Sequence, residues 1–221
     1  MHLTSEVFND LLANKKLTLT FIGMSGIGKT HFANMLARAG FKHMSCDDLI
    51  APRISNSLHN VADVGIWMGQ PYSEGYRERE RHFLELEEDV TKGALRSAES
   101  NTVIDTTGSV IYLSKEVTNS LKNNSLIIYF EARSSIYQEM LARYLTEPKP
   151  VIWGSSFTKT NDETDEDALK RCYPGLLRFR AKKYRQLADV TLPQQLASSF
   201  RDAEDVLRAI GRSSHEVSEK S

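Results

Sequence analysis

The chain has 221 residues, of which 40% are hydrophobic and 26% are charged, and its formal net charge is −1. This length and composition are typical of one globular α/β domain, and a charge near zero argues against a nucleic-acid partner or a membrane surface. Two widely separated cysteines form neither a disulfide framework nor a paired metal-ligand motif, so we expect a reducing, cytoplasmic location. No apolar run approaches the ~20 residues of a membrane span, and Glu6 and Asp10 interrupt any secretory signal.

Predicted strands and helices alternate along the chain. This alternation predicts an α/β fold with a five-stranded, mostly parallel sheet flanked by helices on both faces. The predicted strands are Leu17–Ile22, Phe41–Ser45, Thr102–Asp105, Leu126–Phe130 and Asp189–Leu192. The predicted helices are Lys29–Ala39, Asp47–Ile54, Gly75–Ser100, Ser134–Tyr144 and Ala197–Ile210.

One long segment, about 146–165, has no helical or strand periodicity. It contains Pro148, Pro150 and Gly154, and it ends in polar and acidic residues. A long irregular segment inside a compact domain is usually functional or mobile. We therefore predict a lid within one domain of residues 1–212, followed by a polar tail at 213–221 that we expect to fray.

The most specific motif is the sequence GMSGIGKT at Gly23–Thr30, which matches G-x-x-x-x-G-K-[ST]. It follows a predicted strand and opens a predicted helix, which is the context that a phosphate-binding loop requires. The motif predicts a three-layer P-loop NTPase fold that binds ATP and Mg²⁺. Main-chain N–H groups would surround the phosphates, Lys29 would reach the β- and γ-phosphates, and the Thr30 hydroxyl would bind Mg²⁺. The predicted nucleotide-binding residues in this loop are Gly23, Ser25, Gly26, Ile27, Gly28, Lys29 and Thr30.

From Leu17 to Leu192 the chain resembles the shikimate kinase family. After the second strand that family carries two aspartates one residue apart, and Asp47 matches the second, which holds the acceptor hydroxyl and could act as a base. Ser45 stands at the first position, which in the family supports magnesium. The resemblance thus implies that Asp47 is catalytic and binds the acceptor.

Two arginines match residues that bind the substrate carboxylate in the family. Arg77, in the segment GYRERE, resembles one of them, with Glu80 one helical turn away to orient it, and Arg180 in RAKKYRQLAD resembles the other. Taken alone, Arg77 and Glu80 would be an ordinary exposed pair on a helix. Two converging guanidinium groups would imply an anionic acceptor.

On the nucleotide side, the resemblance extends to Arg143, in Leu141-Ala142-Arg143, whose counterpart packs on adenine. In the lid, Lys149 stands where the family has an arginine that stabilises charge on the transferring phosphoryl group. A lysine there still offsets that charge, although an ordinary surface lysine is an equal alternative.

The loop after the third strand departs from the family, which has three glycines there. This chain has Asp105-Thr106-Thr107-Gly108-Ser109, so that only Gly108 is retained beside the acceptor. Asp105 ends a hydrophobic strand, where P-loop NTPases often place a magnesium-supporting aspartate. We hypothesise that Asp105 takes over the role that is vacated at Ser45.

These features predict an ATP-dependent kinase that phosphorylates a hydroxyl of a small anionic metabolite, with shikimate as the first candidate and another polyol or sugar acid as the alternative. We expect a monomer or weak homodimer.

Two further readings stay open from the sequence: a nucleotide-switched regulatory NTPase and a pseudo-kinase that binds ATP without transfer. A change of oligomeric state with nucleotide would favour the first, and an absence of turnover with every acceptor would favour the second.

Overall fold

The computed structural model describes residues 3–147 and 149–218, and describes side chains as far as Arg212. Within those residues, five strands form one sheet in the order β2-β3-β1-β4-β5, and every neighbouring pair is parallel. The strands are β1 (Thr18–Ile22), β2 (Lys42–Ser45), β3 (Thr102–Asp105), β4 (Leu126–Glu131) and β5 (Val190–Pro193). The predicted α/β fold with a five-stranded parallel sheet is thus confirmed.

Ten α-helices connect or flank these strands in the described part of the chain. They are α1 (Ser5–Ala13), α2 (Lys29–Arg38), α3 (Cys46–Ile54), α4 (Val61–Met68), α5 (Tyr76–Arg96), α6 (Lys115–Asn124), α7 (Tyr137–Thr146), α8 (Asp165–Leu187), α9 (Gln194–Ala197) and α10 (Ala203–Ser218). Short 3₁₀ turns lie at Val110–Tyr112 and Ser134–Ile136.

The centre of the sheet is apolar on both faces. All four residues of β3 and the first five of β4 are buried, as parallel strands covered by helices on both sides require. Phe130 on β4 packs edge-on against Phe21 on β1 with ring centroids 4.9 Å apart, and it stacks on Phe32 of α2 at 5.0 Å. This aromatic contact fixes the start of α2 against the end of β1, where the phosphate-binding motif lies.

Helices α1, α4 and α6 were absent from the sequence prediction. Each begins at a residue whose side chain caps the helix: Thr4, Asn60 and Ser114 accept hydrogen bonds from the main-chain N–H groups of Val7, Asp63 and Val117. Such caps are a sequence signal for a helix start. Among the described residues, no helix is long and apolar enough to cross a membrane.

The segment between α7 and α8 has no helix or strand in its described residues, 147 and 149–164, as expected; Pro148 lies outside the described part. Its middle is nevertheless well packed, because Val151, Ile152 and Trp153 are all buried. At the other end of the chain, α10 runs to Ser218, so the predicted start of the tail at Ser213 falls inside a helix. Residues 219–221 lie outside the described residues.

Candidate active site

The loop between β1 and α2 has the backbone geometry of a phosphate cradle. Gly23, Gly26 and Gly28 adopt φ angles of 143°, 77° and 106°, which side-chain-bearing residues rarely adopt. A Cβ atom on Gly23 would lie 2.8 Å from the Phe130 carbonyl oxygen, so the space itself excludes a side chain. Gly28 caps α2 with its main chain alone, which leaves the first N–H groups of the helix available to an anion.

Lys29 and Thr30 occupy the first turn of α2, and each has a polar partner. The Lys29 side chain is buried, and its Nζ donates to the carbonyl oxygens of Gly23 and Met24 at 3.2 and 3.3 Å. The Thr30 hydroxyl donates to Asp105 Oδ2 at 2.6 Å. The hydroxyl and the carboxylate that were predicted to support magnesium are therefore neighbours.

The position of Ser45 explains how Asp105 reaches this place. In the register of β2 and β3, Ser45 and Asp105 are paired Cα positions on adjacent strands. The Ser45 hydroxyl accepts a hydrogen bond from the Asp48 N–H at 3.3 Å and so caps α3. The carboxylate that is missing on β2 is thus present one strand across, on β3.

Asp47 lies in the first turn of α3 and is half-buried. The pKa of its carboxyl is raised to about 6, chiefly by burial and also by Asp105 and Asp48, while the positive charge of Lys29 acts in the opposite direction. A carboxyl with a pKa near the working pH suits proton transfer from a hydroxyl.

Gly108 connects the phosphate cradle to the other end of the site. A Cβ atom on Gly108 would lie 3.3 Å from the Ser25 main-chain nitrogen, 3.5 Å from Arg180 Nη1 and 3.7 Å from Tyr184 Oη. The glycine therefore lies between a P-loop amide and a guanidinium group. Tyr184 Oη also donates to the Gly108 carbonyl oxygen, which fixes the loop.

Arg180 on α8 is only 4% exposed, and it makes no ion pair within the described residues. Its Nη2 donates to the Ile152 carbonyl oxygen at 2.7 Å, and its guanidinium lies 5.6 Å from the centre of the Tyr112 ring. Its Nε is buried and has no hydrogen-bond partner among the described residues. Burying a cation that has an unpaired N–H donor costs free energy of folding unless an anion binds to it.

Glu87 is a site residue that the sequence analysis missed. It lies on α5, is fully buried, and contacts both hydroxyls of the substituted loop: Thr107 Oγ1 lies against its Oε1, and Ser109 Oγ lies 2.5 Å from its Oε2. Asp47 and Arg180 both act on it electrostatically. Its spacing could have identified it: Glu87 lies seven residues after Glu80 on α5, and so it shares a helical face with the buried Glu80 and Phe83.

Arg77 and Glu80 lie apart from this group. Arg77 is exposed, and its Nη1 donates to Glu80 Oε2 at 2.9 Å and to the Gly154 carbonyl oxygen at 2.5 Å. Glu80 Oε1 accepts hydrogen bonds from Tyr76 Oη, from the Trp153 N–H and from the Gly154 N–H. In this conformation the pair holds the segment 151–154 against α5, and the role of Arg77 in acceptor binding stays a prediction.

The nucleotide-side residues share one cavity of about 80 Å³. Its lining includes Ser25, Gly26 and Ile27 of the P-loop together with Arg143 and Lys149. Lys149 Nζ lies 3.6 Å from the position that a Cβ atom on Gly26 would take, and it also lies 3.5 Å from a carboxylate oxygen of Glu147. Arg143 is paired with Glu139 one helical turn away.

Gln194 also lines this cavity, and the sequence analysis did not single it out. Its Oε1 is buried and has no hydrogen-bond partner among the described residues. It follows β5 directly, and ligands of open α/β sheets bind at the carboxyl ends of the strands. A buried hydrogen-bond acceptor without a partner suits an N–H donor of a ligand, such as the amino group of adenine.

A P-loop at the carboxyl edge of a five-stranded parallel sheet, with Asp47 on α3 and the buried Arg180 on α8, is the arrangement of a small-molecule kinase. The family model for shikimate kinase matches residues 25–211. The chain belongs to the shikimate kinase family, and the activity of that family implies the use of ATP.

Solved structures share the fold at low sequence identity. The shikimate kinase from Acinetobacter baumannii, solved in complex with shikimate, is 18% identical, with 94% of this chain and 92% of that chain covered and a TM-score of 0.55. The shikimate kinase from Bacteroides thetaiotaomicron is 16% identical, with coverages of 92% and 98% and a TM-score of 0.56. The enzyme from Aquifex aeolicus is 18% identical, with coverages of 93% and 100% and a TM-score of 0.56. A comparison with curated protein sequences finds no match.

Proposed function

We propose that this protein transfers the γ-phosphoryl group of ATP to a hydroxyl of a small metabolite that carries a carboxylate, with shikimate or a closely related polyol acid as the acceptor. The observation that carries the proposal is the position of Gly108, which lies between the Ser25 amide of the phosphate cradle and the buried Arg180 guanidinium. A molecule bound against this glycine would have its carboxylate at Arg180 and a hydroxyl toward the phosphates.

The residues present fit a nucleotide and its metal ion. The three glycines with positive φ leave a cradle that side chains would fill, and Gln194 and Arg143 line the cavity beyond it. Thr30 and Asp105 supply the hard oxygen donors that Mg²⁺ prefers. When bound, Mg²⁺ would neutralise charge on the β- and γ-phosphates.

We propose Asp47 as the group that orients the attacking hydroxyl and accepts its proton. As the oxygen–phosphorus bond forms and the bond to the ADP oxygen breaks, the hydroxyl proton passes to the Asp47 carboxylate. Lys29 would turn from its carbonyl partners to the phosphates, and Lys149, beside Gly26, would add positive charge on the lid side. Catalysis then consists mainly of positioning and charge stabilisation.

The acceptor is inferred from charge. Arg180 provides a buried cation with no ion-pair partner among the described residues; its Nε has no hydrogen-bond partner there, and its Nη1 lies beside Gly108, so the guanidinium suits a carboxylate. If Arg77 turns from Gly154 toward the pocket, it would be a second carboxylate ligand, as the family resemblance implies. We also propose that residues 1–212 act as one domain in which residues 146–165 close over the nucleotide.

The test is an ADP-release assay with Mg·ATP and a panel of acceptors: shikimate, quinate, gluconate, the methyl ester of shikimate, and a nucleoside monophosphate. The proposal predicts turnover above the water background with a hydroxy acid, and a large loss of kcat/KM with the methyl ester, which lacks the charge. Equal rates with the acid and its ester would contradict the proposed carboxylate site. No turnover with any acceptor, together with a nucleotide-dependent change in oligomeric state, would favour a regulatory NTPase instead.

A further inference from the structure

Four side-chain oxygen atoms from three residues form a closed ring with three short contacts at the acceptor loop. Thr107 Oγ1 contacts Glu87 Oε1, Ser109 Oγ lies 2.5 Å from Glu87 Oε2, and the two hydroxyl oxygens lie 2.8 Å from each other. All three residues are buried, so water does not screen these contacts. The Ser109 main-chain N–H also donates to Thr107 Oγ1, at 3.1 Å.

Counting protons determines the charge of this cluster. Each of the three contacts between oxygens needs one proton, and each hydroxyl carries one. If Glu87 were ionised, two protons would have to serve three contacts, and one pair of oxygens would face each other without a hydrogen bond. A protonated carboxyl supplies the third proton: one of its oxygens donates, the other accepts, and each hydroxyl donates once and accepts once within the ring, in either sense around it.

We propose that Glu87 is a neutral carboxylic acid in the resting enzyme, which closes a ring of three hydrogen bonds with Thr107 and Ser109, and that this ring positions Gly108 and sets the charge of the acceptor site. Glu87 is thus a positioning residue rather than a catalytic one. Thr107 and Ser109, the two residues that depart from the glycine loop of the family, are its partners.

The surroundings of Glu87 agree with this assignment. The pKa of its carboxyl is raised to about 7, chiefly by burial and also by Asp47, while the hydroxyls of Ser109 and Thr107 and the charge of Arg180 act in the opposite direction. The charged and titratable groups that face it are Asp47 and Cys46 from α3 and Arg180 and Tyr184 from α8. Among these, Arg180 is the one cation.

A consequence for substrate binding follows, and it rests on the proposed function. While Glu87 is neutral, it adds no negative charge beside Arg180, and the guanidinium can hold an acceptor carboxylate. When Glu87 loses its proton, a negative charge enters the pocket and weakens anion binding. The affinity for an anionic acceptor therefore falls as the pH rises through about 7.

The first experiment detects the proton directly. Infrared difference spectra between the wild-type protein and Glu87→Gln are recorded from pH 5 to pH 9, on the full chain without any acceptor. We expect the carbonyl band of a protonated carboxylic acid in the wild type, its loss as the pH rises through about 7, and its absence in Glu87→Gln. If the wild type shows no such band at pH 5.5, Glu87 is ionised and the inference fails, whatever the acceptor is.

The second experiment uses the matched pair Thr107→Val and Thr107→Ser, with shikimate and its methyl ester as probes. Thr107→Val keeps the shape and removes the hydroxyl, whereas Thr107→Ser keeps the hydroxyl. We expect KM for shikimate to rise about threefold to tenfold in Thr107→Val, with KM for ATP and kcat unchanged, and recovery in Thr107→Ser. We also expect KM for shikimate to rise with pH in the wild type but not in Glu87→Gln.

Equal effects of Thr107→Val on the KM values for ATP and shikimate would show a general loss of structure and would overturn the positioning role. A pH dependence that persists in Glu87→Gln would assign it to another group. If neither probe is phosphorylated while the infrared band is present, the proposed function fails and the neutral Glu87 stands.

Discussion

The two halves of the site are built in different ways. The proposed nucleotide half is centred on eight consecutive residues, Gly23–Thr30, where glycine conformations shape the main chain, and a few side chains line the cavity beyond it. The proposed acceptor half is assembled from four separate elements, with Asp47 on α3, Glu87 on α5, Gly108 after β3 and Arg180 on α8. A main-chain site tolerates little change in sequence, whereas a side-chain site can change its ligand by single substitutions.

Most departures from the family pattern fall in the acceptor half. The P-loop motif is complete, and the departure at Lys149 lies in the nucleotide-side cavity, whereas the departures at Ser45, Thr107 and Ser109 lie on the acceptor side or its metal support. The structure offers a partner for each of them: Asp105 beside Ser45, and Glu87 for both hydroxyls. The two halves meet at Gly108, and substitutions on either side of it test whether nucleotide binding and acceptor binding can be changed independently.

The largest effect is expected from Lys29→Ala. Removal of a buried cation from the phosphate cradle should lower kcat by about 10²–10³, because Lys29 is buried in the first turn of α2, directly after the loop glycines. Steady-state kinetics with Lys16→Ala as an exposed lysine control checks this. A loss of less than about threefold would break the assignment of the loop as the phosphoryl-transfer site.

Asp47→Asn should lower kcat by about 10²–10³ while KM for ATP changes little, because the amide cannot accept the hydroxyl proton. The pH dependence has a defined sign: the ionised carboxylate is the active form, so kcat should fall as the pH drops below about 6. Asp48→Asn, on the exposed neighbour, is the control. A kcat profile with no acid limb in the wild type would exclude Asp47 as the base.

Arg180→Lys should raise KM for a carboxylate acceptor by about tenfold to a hundredfold, since a lysine loses the bidentate geometry but keeps the charge. Arg178→Lys is a matched control, on the same helix but exposed. The nucleotide half should be unaffected, so KM for ATP is the internal reference. An equal rise in both KM values would show that Arg180 acts through the segment it holds at Ile152.

Asp105→Asn should raise the Mg²⁺ concentration that gives half-maximal activity by about tenfold, with a smaller change at saturating Mg²⁺, because the amide still accepts from Thr30 but carries no charge. Mg²⁺ titrations of ATP turnover in the wild type and the variant measure this. An unchanged Mg²⁺ dependence would remove Asp105 from the metal support.

The smallest effect is expected from Arg77→Ala. Its contacts are an ion pair with Glu80, in which Arg77 is exposed and Glu80 is buried, and one bond to Gly154. Glu80 keeps the hydrogen bonds from Tyr76, Trp153 and Gly154 without Arg77, so the loss should cost little stability. We expect the melting temperature to change by less than about 2 °C. The same variant tests the predicted role of Arg77 in acceptor binding. An unchanged KM for shikimate would show that Arg77 does not bind the acceptor, and a rise above about tenfold would show that it does.

The sequence predicted the five-stranded parallel sheet and the glycine loop after β1, whereas the roles of the site residues stay predictions. Gly23–Thr30 could be found because all its determinants are local, and β3 and β4 because buried parallel strands are largely apolar. Glu87 could not be found by resemblance to GYRERE, because its function depends on Thr107 and Ser109, which are about twenty residues away and meet it only in the folded chain. Gln194 is likewise defined by the cavity it faces.

The segment 146–165 gives a related lesson. Its composition predicted an irregular lid, but composition does not show that Trp153 is buried or that Glu80 and Arg180 hold this segment from two sides. Those contacts join residues that are about thirty to seventy positions apart. Long-range polar contacts of this kind leave no periodic signal in a sequence.

The most direct test of phosphoryl transfer between the nucleotide half and the acceptor half of the site is ³¹P NMR of Mg·ATP incubated with the protein and shikimate. The account predicts that the γ-phosphate signal declines while the signal of a new phosphomonoester grows in equal measure, and that Arg180→Lys slows this transfer at low shikimate concentration. A γ-phosphate that is lost only to inorganic phosphate, or not at all, with every hydroxy acid of the panel would contradict it.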